Sequence, residues 1–293
     1  MPLRVSAISF LNPAPLLYNF EHEPTASALR AHYDIHYTTP AHCALELHAG
    51  AADLGLIPIA ELTPALAVVP GCTIASLHEV RSILLLVRNP HNLSESEALR
   101  RVVTLSADTA SRSSIAYARL LLKRFYDTDP ILFPHSPDPL SMLADADAAL
   151  LIGDPALLAR EHRAQIDATV QKSQNTSLLW IDLAALWREH TGLPWVAAVW
   201  AVRPEAIALA GLTPQQLIAD LNASRDHGLA HIEDLVREWT PRISVPPATI
   251  RTYLTRNIHY TLSPDCLQTI ELFRSLSTQL GTLPPLPQLT FLT

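Results

Sequence analysis

The sequence predicts an α/β fold of two lobes with a ligand cleft between them. Short apolar runs alternate with stretches in which apolar residues recur at helical spacing, a pattern typical of a mostly parallel sheet covered by helices. This alternation occurs twice, before residue 82 and after residue 87. Two long apolar runs, 82–87 and 195–202, are expected to be buried on both faces and to cross between the two series. We therefore predict one lobe of residues 1–84 and 200–293, and a second lobe of residues 85–199.

The first series begins with a strand over residues 3–11 that ends at a proline-rich turn. Asn12 is followed by Pro13 and Pro15, which fix the backbone, and a helix begins behind them. Ser9 and Asn12 are thereby placed at the carboxyl end of a strand, where open α/β sheets bind their ligands. For Asn12 an ordinary turn residue is an equally good interpretation of the local sequence.

The remaining elements of the first series follow in the same alternation. We predict a strand over residues 33–38, a helix over 41–50 that ends at a glycine, and strands over 52–62, 73–77 and 82–87. Ser82 opens the last of these strands and is a candidate ligand contact. Residues 89–96 are rich in turn formers.

The second series opens with a predicted anion site. Val102, Val103 and Leu105 indicate a strand, and from Ile115 apolar residues recur at helical spacing, so a strand-to-helix turn lies between them. The turn carries these polar side chains: Ser106, Asp108, Thr109, Ser111, Arg112, Ser113 and Ser114. With the free N–H groups of a helix N-terminus they suit a carboxylate or a phosphate. The alternative is that one serine merely caps the helix. Since no glycine-rich phosphate motif is present, a nucleotide is not the favoured anion.

A third polar turn follows the apolar run that begins at residue 148. Gly153 and Asp154 end this predicted strand, and a helix begins at about residue 156, so Asp154 either faces the same cleft or caps the helix. A strand over 178–183, a helix over 184–190 and the strand over 195–202 complete the series. From residue 204 helices predominate, with Thr213 and Ser263 as predicted N-caps.

The amino-acid composition argues against several classes of function. The formal net charge is −7 and only 17% of the residues are charged, so we expect no attraction to nucleic acid. The 13 histidines are scattered, and the three cysteines form no Cys-x-x-Cys pair, so we expect no metal site and free thiols. Neither a secretory leader nor an apolar run of about 20 residues is present, which predicts a cytoplasmic protein without a membrane partner.

Six motifs occur in a characteristic order along the chain: Ile8-Ser-Phe-Leu-Asn-Pro, Asp53-Leu-Gly-Leu-Ile-Pro, Val80-Arg-Ser-Ile-Leu-Leu, Asp108-Thr-Ala-Ser-Arg-Ser-Ser, Leu150-Leu-Ile-Gly-Asp-Pro-Ala-Leu and Thr191-Gly-Leu-Pro-Trp-Val-Ala-Ala-Val-Trp. Their order and spacing resemble the chorismate dehydratases of menaquinone biosynthesis, the MqnA branch of the MqnA/MqnD family of the futalosine pathway. The resemblance spans residues 4–260. It implies a type II periplasmic-binding-protein fold used as an enzyme.

The resemblance also implies a lyase that converts chorismate, a small dicarboxylate, into 3-[(1-carboxyvinyl)oxy]benzoate without a metal or organic cofactor. The residues of the serine-rich turn would then bind one carboxylate: Ser111, Arg112, Ser113 and Ser114. Ser9, Ser82 and Thr109 would bind the other carboxylate or the departing hydroxyl group. We expect Asn12 to orient the substrate, and either Asp154 or the substrate's own enolpyruvyl carboxylate to take the proton.

Two alternatives stay open. The MqnD branch acts on cyclic dehypoxanthine futalosine and carries a histidine about where this chain has Gly153, a departure that favours the dehydratase branch. Pro13 departs from the dehydratase pattern, in which Thr is common at that position. A binding protein that closes on a small carboxylate without chemistry is the alternative from another class, since a fold does not define a function.

Overall fold

The computed structural model describes residues 1–285 and 288–293 of the chain. Leu286 and Pro287, which belong to the first predicted lobe, lie outside the described residues. The strands are β1 Leu3–Ile8, β2 Tyr33–Thr38, β3 Leu54–Pro58, β4 Ala67–Ser76, β5 Ile83–Asn89, β6 Thr104–Asp108, β7 Ile131–His135, β8 Ala148–Ile152, β9 Ser177–Asp182, β10 Trp195–Val202, β11 His259–Thr261 and β12 Thr290–Phe291.

Helices connect and cover these strands. They are α1 Ala14–Glu21, α2 Thr25–Leu29, α3 Pro40–His48, α4 Glu95–Leu99, α5 Ser113–Phe125, α6 Pro139–Asp145, α7 Gly153–Glu161, α8 Arg163–Gln174, α9 Leu183–Thr191, α10 Pro204–Leu209, α11 Pro214–Ala230, α12 Ile232–Ile243, α13 Pro247–Thr252 and α14 Pro264–Gln279. A short 3₁₀ helix spans Ile59–Glu61 and a π-helix spans Tyr253–Asn257. Within the described residues no helix combines the length and apolar character needed to cross a membrane.

The strands form two sheets. The first has the order β11-β4-β10-β3-β1-β2, with β12 paired to β4, and the second has the order β7-β6-β8-β5-β9. Strands β1, β2 and β3 are parallel, and so are β6, β7 and β8, whereas β10 runs antiparallel to β3 and β4, and β5 runs antiparallel to β8 and β9. Both sheets are therefore mixed, and the prediction of a mostly parallel sheet is wrong, because the long strands β5 and β10 enter their sheets in the opposite direction. The α/β class with two sheets is nevertheless confirmed.

The two long apolar strands are buried as predicted. In β5, Ile83, Leu85 and Val87 face one core cluster, and Leu84 and Leu86 face a second one. Their hydrogen bonds, however, do not join the sheets, because β5 pairs with β8 and β9 of the second sheet, and β10 pairs with β3 and β4 of the first. The chain therefore crosses between the sheets just before these strands, over residues 77–82 and 192–194, and not within them.

The predicted lobe limits fall inside these same strands, since residue 84 lies in β5 and residue 200 lies in β10. The lobe limits themselves stay a prediction. The strands of the first sheet come from residues 3–76 and 195–291, and those of the second come from residues 83–182.

The proline-rich turn after β1 is held from behind by α11. An added Cβ atom at Gly228 of this helix would overlap the backbone of Pro15, so only glycine allows so close an approach. Asn19 N–H also donates to the Ser224 hydroxyl group at 3.0 Å. This contact fixes the start of α1, and with it the loop that carries Phe10 and Asn12.

Candidate functional site

Two adjacent cavities lie at the carboxyl end of β1. The inner cavity, of about 40 Å³, is lined by the β1–α1 loop, the start of β5, the N-terminus of α5, the β8–α7 junction and the middle of β10. The outer cavity, of about 970 Å³, is lined by the same loop together with α1, β2 and the end of α12. Ile8 and Phe10 line both cavities. These two side chains therefore form the wall that separates them.

Seven of the ten predicted site residues line the inner cavity: Asn12, Ser82, Ser111, Arg112, Ser113, Ser114 and Gly153. They come from both sheets and from positions up to 141 residues apart in sequence, from Asn12 to Gly153. The carboxyl ends of β1, β6 and β8 bring them together, which is the arrangement expected for ligand sites of α/β sheets.

Asn12 has an unsatisfied polar atom. Its Oδ1 is buried and has no hydrogen-bond partner among the described residues. A buried amide oxygen without a partner costs free energy, on the order of 1–3 kcal/mol, and a hydroxyl or other donor of a ligand would remove that cost. Asn12 is therefore suited to bind a ligand, although an amide holds no proton at neutral pH and is not a general base.

The serine-rich turn forms the N-terminus of α5. No described side chain caps this helix, so the capping alternative for Ser111 and Ser113 is wrong. Ser111 is 1% exposed, and its Oγ has no partner among the described residues. Ser113 is already used, because its Oγ donates to the Ala197 carbonyl at 3.0 Å and accepts from Ala60 N–H at 3.2 Å. The hydroxyl of Ser111 is thus open to an anion, whereas that of Ser113 fastens α5 to the first sheet.

Arg112 supplies the only guanidinium group in the inner cavity wall described here. Its Nη1 donates to the Ser111 carbonyl at 3.1 Å, and its Nε lies 3.6 Å from Glu61 Oε1. Its side chain is 39% exposed, so the ion pair with Glu61 is solvent-screened and weak. Since the carboxylate beside Arg112 belongs to Glu61 and not to Asp108, most of the guanidinium donors stay available to a ligand.

Asp108 lies beneath the turn and not in it. This residue ends β6, is 2% exposed, and accepts a hydrogen bond from Ala110 N–H at 2.9 Å. Burial raises the pKa of its carboxyl group. The carboxylate therefore shapes the turn through the backbone of Ala110.

Ser82 is held by a tyrosine that the sequence did not single out. The Ser82 and Tyr253 hydroxyl oxygens are 2.7 Å apart, and both side chains are 1% exposed. The Ser82 carbonyl accepts the N–H of Gly153 at 2.8 Å, which joins β5 to the β8–α7 junction. Tyr253 opens the π-helix, and π-helical turns are frequent at functional sites.

Gly153 adopts a left-handed backbone conformation, with a φ of +62°, and faces the Phe10 ring. An added Cβ atom would lie 2.5 Å from that ring. A side chain at this position would therefore need both a strained backbone and a displaced Phe10. The contact explains why the junction carries glycine.

The other three predicted residues lie outside the inner cavity wall. Asp154 lines the outer cavity, and its Oδ1 accepts a hydrogen bond from Leu11 N–H at 2.9 Å. Because no described side chain caps α7, the interpretation of Asp154 as a helix cap is wrong. Burial raises the pKa of Asp154 to about 6, and the bond from Leu11 opposes the shift. Ser9 also lines the outer cavity. Thr109 is exposed, and its N–H donates to the His135 carbonyl at 3.2 Å.

Sequence reasoning missed Phe10, Glu61 and Tyr253. Phe10 stands within a quoted motif, and the only available signal was an aromatic residue between a strand and a polar turn. Tyr253 lies 171 residues from Ser82, and no local pattern connects the two. Within residues 1–285 and 288–293, no three His, Cys, Asp or Glu side chains are grouped as metal ligands.

The two sheets and the cleft between them define the class to which this protein belongs, that of the periplasmic-binding-protein fold. Protein AF1704 from Archaeoglobus fulgidus superposes with a TM-score of 0.69 at 13% identity, covering 96% of this chain and 98% of that one. The alkanesulfonate-binding protein SsuA from Xanthomonas axonopodis pv. citri gives a TM-score of 0.62 at 15% identity, covering 99% and 96%. At these identities the likeness concerns the fold alone.

Comparison of the sequence with known proteins identifies the family within that class. A family model described as menaquinone biosynthesis matches residues 3–279, and the chain belongs to this family. The chorismate dehydratase of Thermus thermophilus is 28% identical over 207 residues, which are 69% of this chain and 70% of that protein. The resemblance noted from the six motifs is thereby confirmed.

Proposed function

We propose that this protein is a hydro-lyase that dehydrates chorismate to 3-[(1-carboxyvinyl)oxy]benzoate in the futalosine route to menaquinone. One observation supports this most directly: the inner cavity gathers an unpartnered acceptor, Asn12 Oδ1, an unpartnered hydroxyl, Ser111 Oγ, and the N-terminus of α5. The likeness to a named chorismate dehydratase supports the choice of substrate.

The substrate has groups that match these partners. Chorismate carries a ring carboxylate, an enolpyruvyl carboxylate and a hydroxyl group on C4. A carboxylate suits the Ser111 hydroxyl and the free N–H groups at the start of α5, with Arg112 adding charge at the rim. The C4 hydroxyl is a donor for Asn12 Oδ1.

The reaction removes the C3 proton and the C4 hydroxyl group. A base takes the proton, the electron pair of the C3–H bond forms the C3–C4 double bond, and the C4–O bond breaks. The departing hydroxide takes up the proton that the base removed and leaves as water, which restores the base, while aromatisation of the ring supplies the driving force. The protein contributes orientation of the substrate in a cavity lined by polar groups from both sheets.

The proposed base is the substrate's own enolpyruvyl carboxylate. Asn12 is a neutral amide, and Gly153 has no side chain. The Asp154 carboxylate accepts Leu11 N–H and lines the outer cavity. The enolpyruvyl group is attached to C3, so its carboxylate is tethered beside the proton and needs no protein base. Asn12 orients the substrate in this scheme.

A direct assay tests the function. The protein is incubated with chorismate, loss of the cyclohexadiene absorbance is followed, and the benzoate product is identified by mass spectrometry. Loss of chorismate with formation of the expected product supports the proposal. Tight binding without turnover would identify a carboxylate-binding protein, and turnover of cyclic dehypoxanthine futalosine alone would identify an MqnD-type enzyme.

A further inference from the structure

The π-helix holds one wall of the inner cavity in place. Tyr253, its first residue, bonds the Ser82 hydroxyl at 2.7 Å, and Asn257, its last residue, donates through Nδ2 to the Glu79 carbonyl at 3.1 Å. Both contacts fall on residues 77–82, the segment where the chain crosses from the first sheet to the second. The position of Ser82 thus depends on a helix more than 170 residues away.

The direction of the hydrogen bond between the two hydroxyl groups follows from their surroundings. If Ser82 donated to Tyr253, the phenol hydrogen would need another acceptor, and the described residues offer Tyr253 Oη no partner besides Ser82. A phenol is also a stronger acid than an alcohol and is the better donor. Burial raises the pKa of Tyr253, so the phenol keeps its proton. Ser82 lines the inner cavity and Tyr253 does not, so only the arrangement in which the phenol donates to Ser82 Oγ gives both hydrogens a partner when a ligand is bound.

This arrangement leaves the Ser82 hydrogen free. Ser82 lines the inner cavity, and the described structure contains no protein acceptor for its hydrogen. A chain of hydroxyl groups also polarises each member, so the terminal hydrogen becomes a better donor. An anionic oxygen in the cavity is the partner that such a donor suits.

We propose that Tyr253 is a positioning residue that turns the Ser82 hydroxyl into a dedicated donor for a carboxylate of the substrate. This inference extends the proposed function, and it assigns Ser82 to the carboxylate that the α5 N-terminus does not bind. Ser9 and Thr109, the other candidates for that carboxylate, lie outside the inner cavity wall.

Two readouts test the inference. One is steady-state turnover of chorismate, and the other is calorimetric titration with isophthalate, a one-ring dicarboxylate that cannot be dehydrated. Ser82→Ala should raise KM and the isophthalate Kd by roughly 10- to 100-fold, the range for a hydrogen bond to a charged group. Tyr253→Phe should raise both by about 3- to 10-fold with kcat nearly unchanged. Because Tyr253 acts through Ser82, the double variant should bind no more weakly than Ser82→Ala.

Tyr260→Phe is the matched control. Tyr260 is also buried, at 3% exposure, and its hydroxyl has no partner among the described residues, but it lies in β11 outside the inner cavity wall. This variant should bind isophthalate like the wild type. Melting temperatures of all variants identify any loss of fold.

The outcomes separate the two proposals. If chorismate is dehydrated but Tyr253→Phe behaves like the wild type, or if its effect adds fully to that of Ser82→Ala, the positioning role is wrong and the proposed function stands. If chorismate is not dehydrated but the isophthalate series follows the expected pattern, the proposed function is wrong and the positioning role stands. If the wild type binds neither compound, both are wrong.

Discussion

At the scale of single residues, the site is marked by polar atoms that the fold leaves without partners. Asn12 Oδ1 and Ser111 Oγ are both buried, and among the described residues neither has a hydrogen bond. Each would cost on the order of 1–3 kcal/mol in a cavity that never received a ligand. Natural proteins keep few such groups, and those that persist are commonly explained by function. Their presence in one cavity is a stronger indication of a site than either residue alone.

Arg112 supplies positive charge to the wall of the inner cavity. Arg112→Ala should weaken carboxylate binding by about 1.5–3 kcal/mol, the range of a charge-assisted hydrogen bond, because the weak pair with Glu61 leaves its donors available. The measurement is the KM for chorismate together with the Kd for isophthalate. Arg119→Ala is the matched control, since Arg119 lies on the same helix but bonds Asp129 at 2.9 Å. An unchanged KM in Arg112→Ala would assign Arg112 to the structure alone.

The Asp154 carboxylate lies outside the inner cavity wall and is not the proposed base. Asp154→Asn should retain most of the wild-type kcat, because its carboxylate receives Leu11 N–H in the outer cavity and an asparagine oxygen can accept the same bond. Asn12→Asp is the informative counterpart, since a carboxylate there would repel a dianionic substrate and raise KM. Single-turnover kinetics on both variants separate binding from chemistry. If Asp154→Asn abolished turnover with binding and fold intact, Asp154 would be the general base.

At the scale of elements, the sequence predicted strands better than their ends. The strand over 33–38 is observed with the predicted bounds, whereas β4 begins at Ala67 and not at residue 73. Pro70 and Gly71 lie inside the observed strand, where the register with β10 shifts, and Gly71 takes a φ of +102°. An irregularity in the ladder accommodates both residues within one strand.

The sequence analysis did not predict the helix α4 or the π-helix. Residues 89–96 were assigned to turns, yet Ser94 and Glu97 form a complete capping box that starts α4. The π-helix was not predicted either, and its first and last residues bond Ser82 and Glu79, which lie more than 170 residues away in sequence. Elements that depend on distant partners are the ones that sequence patterns miss.

The contact between α1 and α12 supports a prediction about pH. His22 Nε2 lies 2.7 Å from Glu238 Oε1, and His22 Nδ1 lies 2.9 Å from the Tyr18 carbonyl oxygen. Burial lowers the pKa of His22, but these bonds outweigh it, so the pKa is raised overall. A raised histidine pKa stabilises the folded state below the unfolded-state pKa, and this contribution disappears as pH rises through the folded-state pKa.

We therefore expect His22→Gln to lower the free energy of unfolding more at pH 5.5 than at pH 8.5. The difference between the two losses should be about 0.5–1.5 kcal/mol, the range for an ordinary hydrogen bond. Urea titrations at both pH values measure the difference. His162→Gln is the matched control, because His162 is exposed and no ion pair to it is present among the described residues. An equal loss at both pH values would mean that His22 stays neutral in the folded protein.

At the scale of the whole molecule, the sequence could predict which turns meet, but not which side chains of those turns line the inner cavity. The carboxyl ends of parallel strands share one edge of a sheet, and this rule placed Asn12, Ser111 and Gly153 in one cavity. The rule is silent on side-chain direction, so Ser9, Thr109 and Asp154 were grouped with them although they lie outside the inner cavity wall. It is equally silent on Tyr253, which reaches Ser82 from the other end of the chain.

The second crossing between the sheets lies in a closely packed region. At residues 192–194, the Pro194 carbonyl accepts bonds from Trp187 Nε1 at 3.0 Å and from Thr269 Oγ1 at 2.7 Å. The fully buried Tyr117 ring stacks on Trp195 at 3.8 Å and contacts Phe273 at 4.1 Å. These contacts hold the two sheets together beside this crossing. At the cleft, polar contacts also join the two sides, among them Leu11 N–H with Asp154 and Ser113 Oγ with the Ala197 carbonyl.

The two lobes are expected to move relative to each other when a ligand binds. An inner cavity of about 40 Å³ is well below the ~300–1,000 Å³ of sites that hold small molecules, so the lobes must separate to admit a one-ring dicarboxylate. The rotation should pivot about residues 77–82 and 192–194, where few residues can absorb the change in backbone angles. We expect the free protein in solution to populate a form more open than the one described and to close on its ligand, so small-angle scattering should show a smaller radius of gyration with isophthalate than without it. Arg112→Ala at a ligand concentration below its Kd should show no such compaction, because closure is driven by binding.

An unchanged radius at saturating ligand, with no relative rotation of the sheets between free and bound crystals, would mean that the lobes form one rigid body and that Phe10 alone admits the substrate.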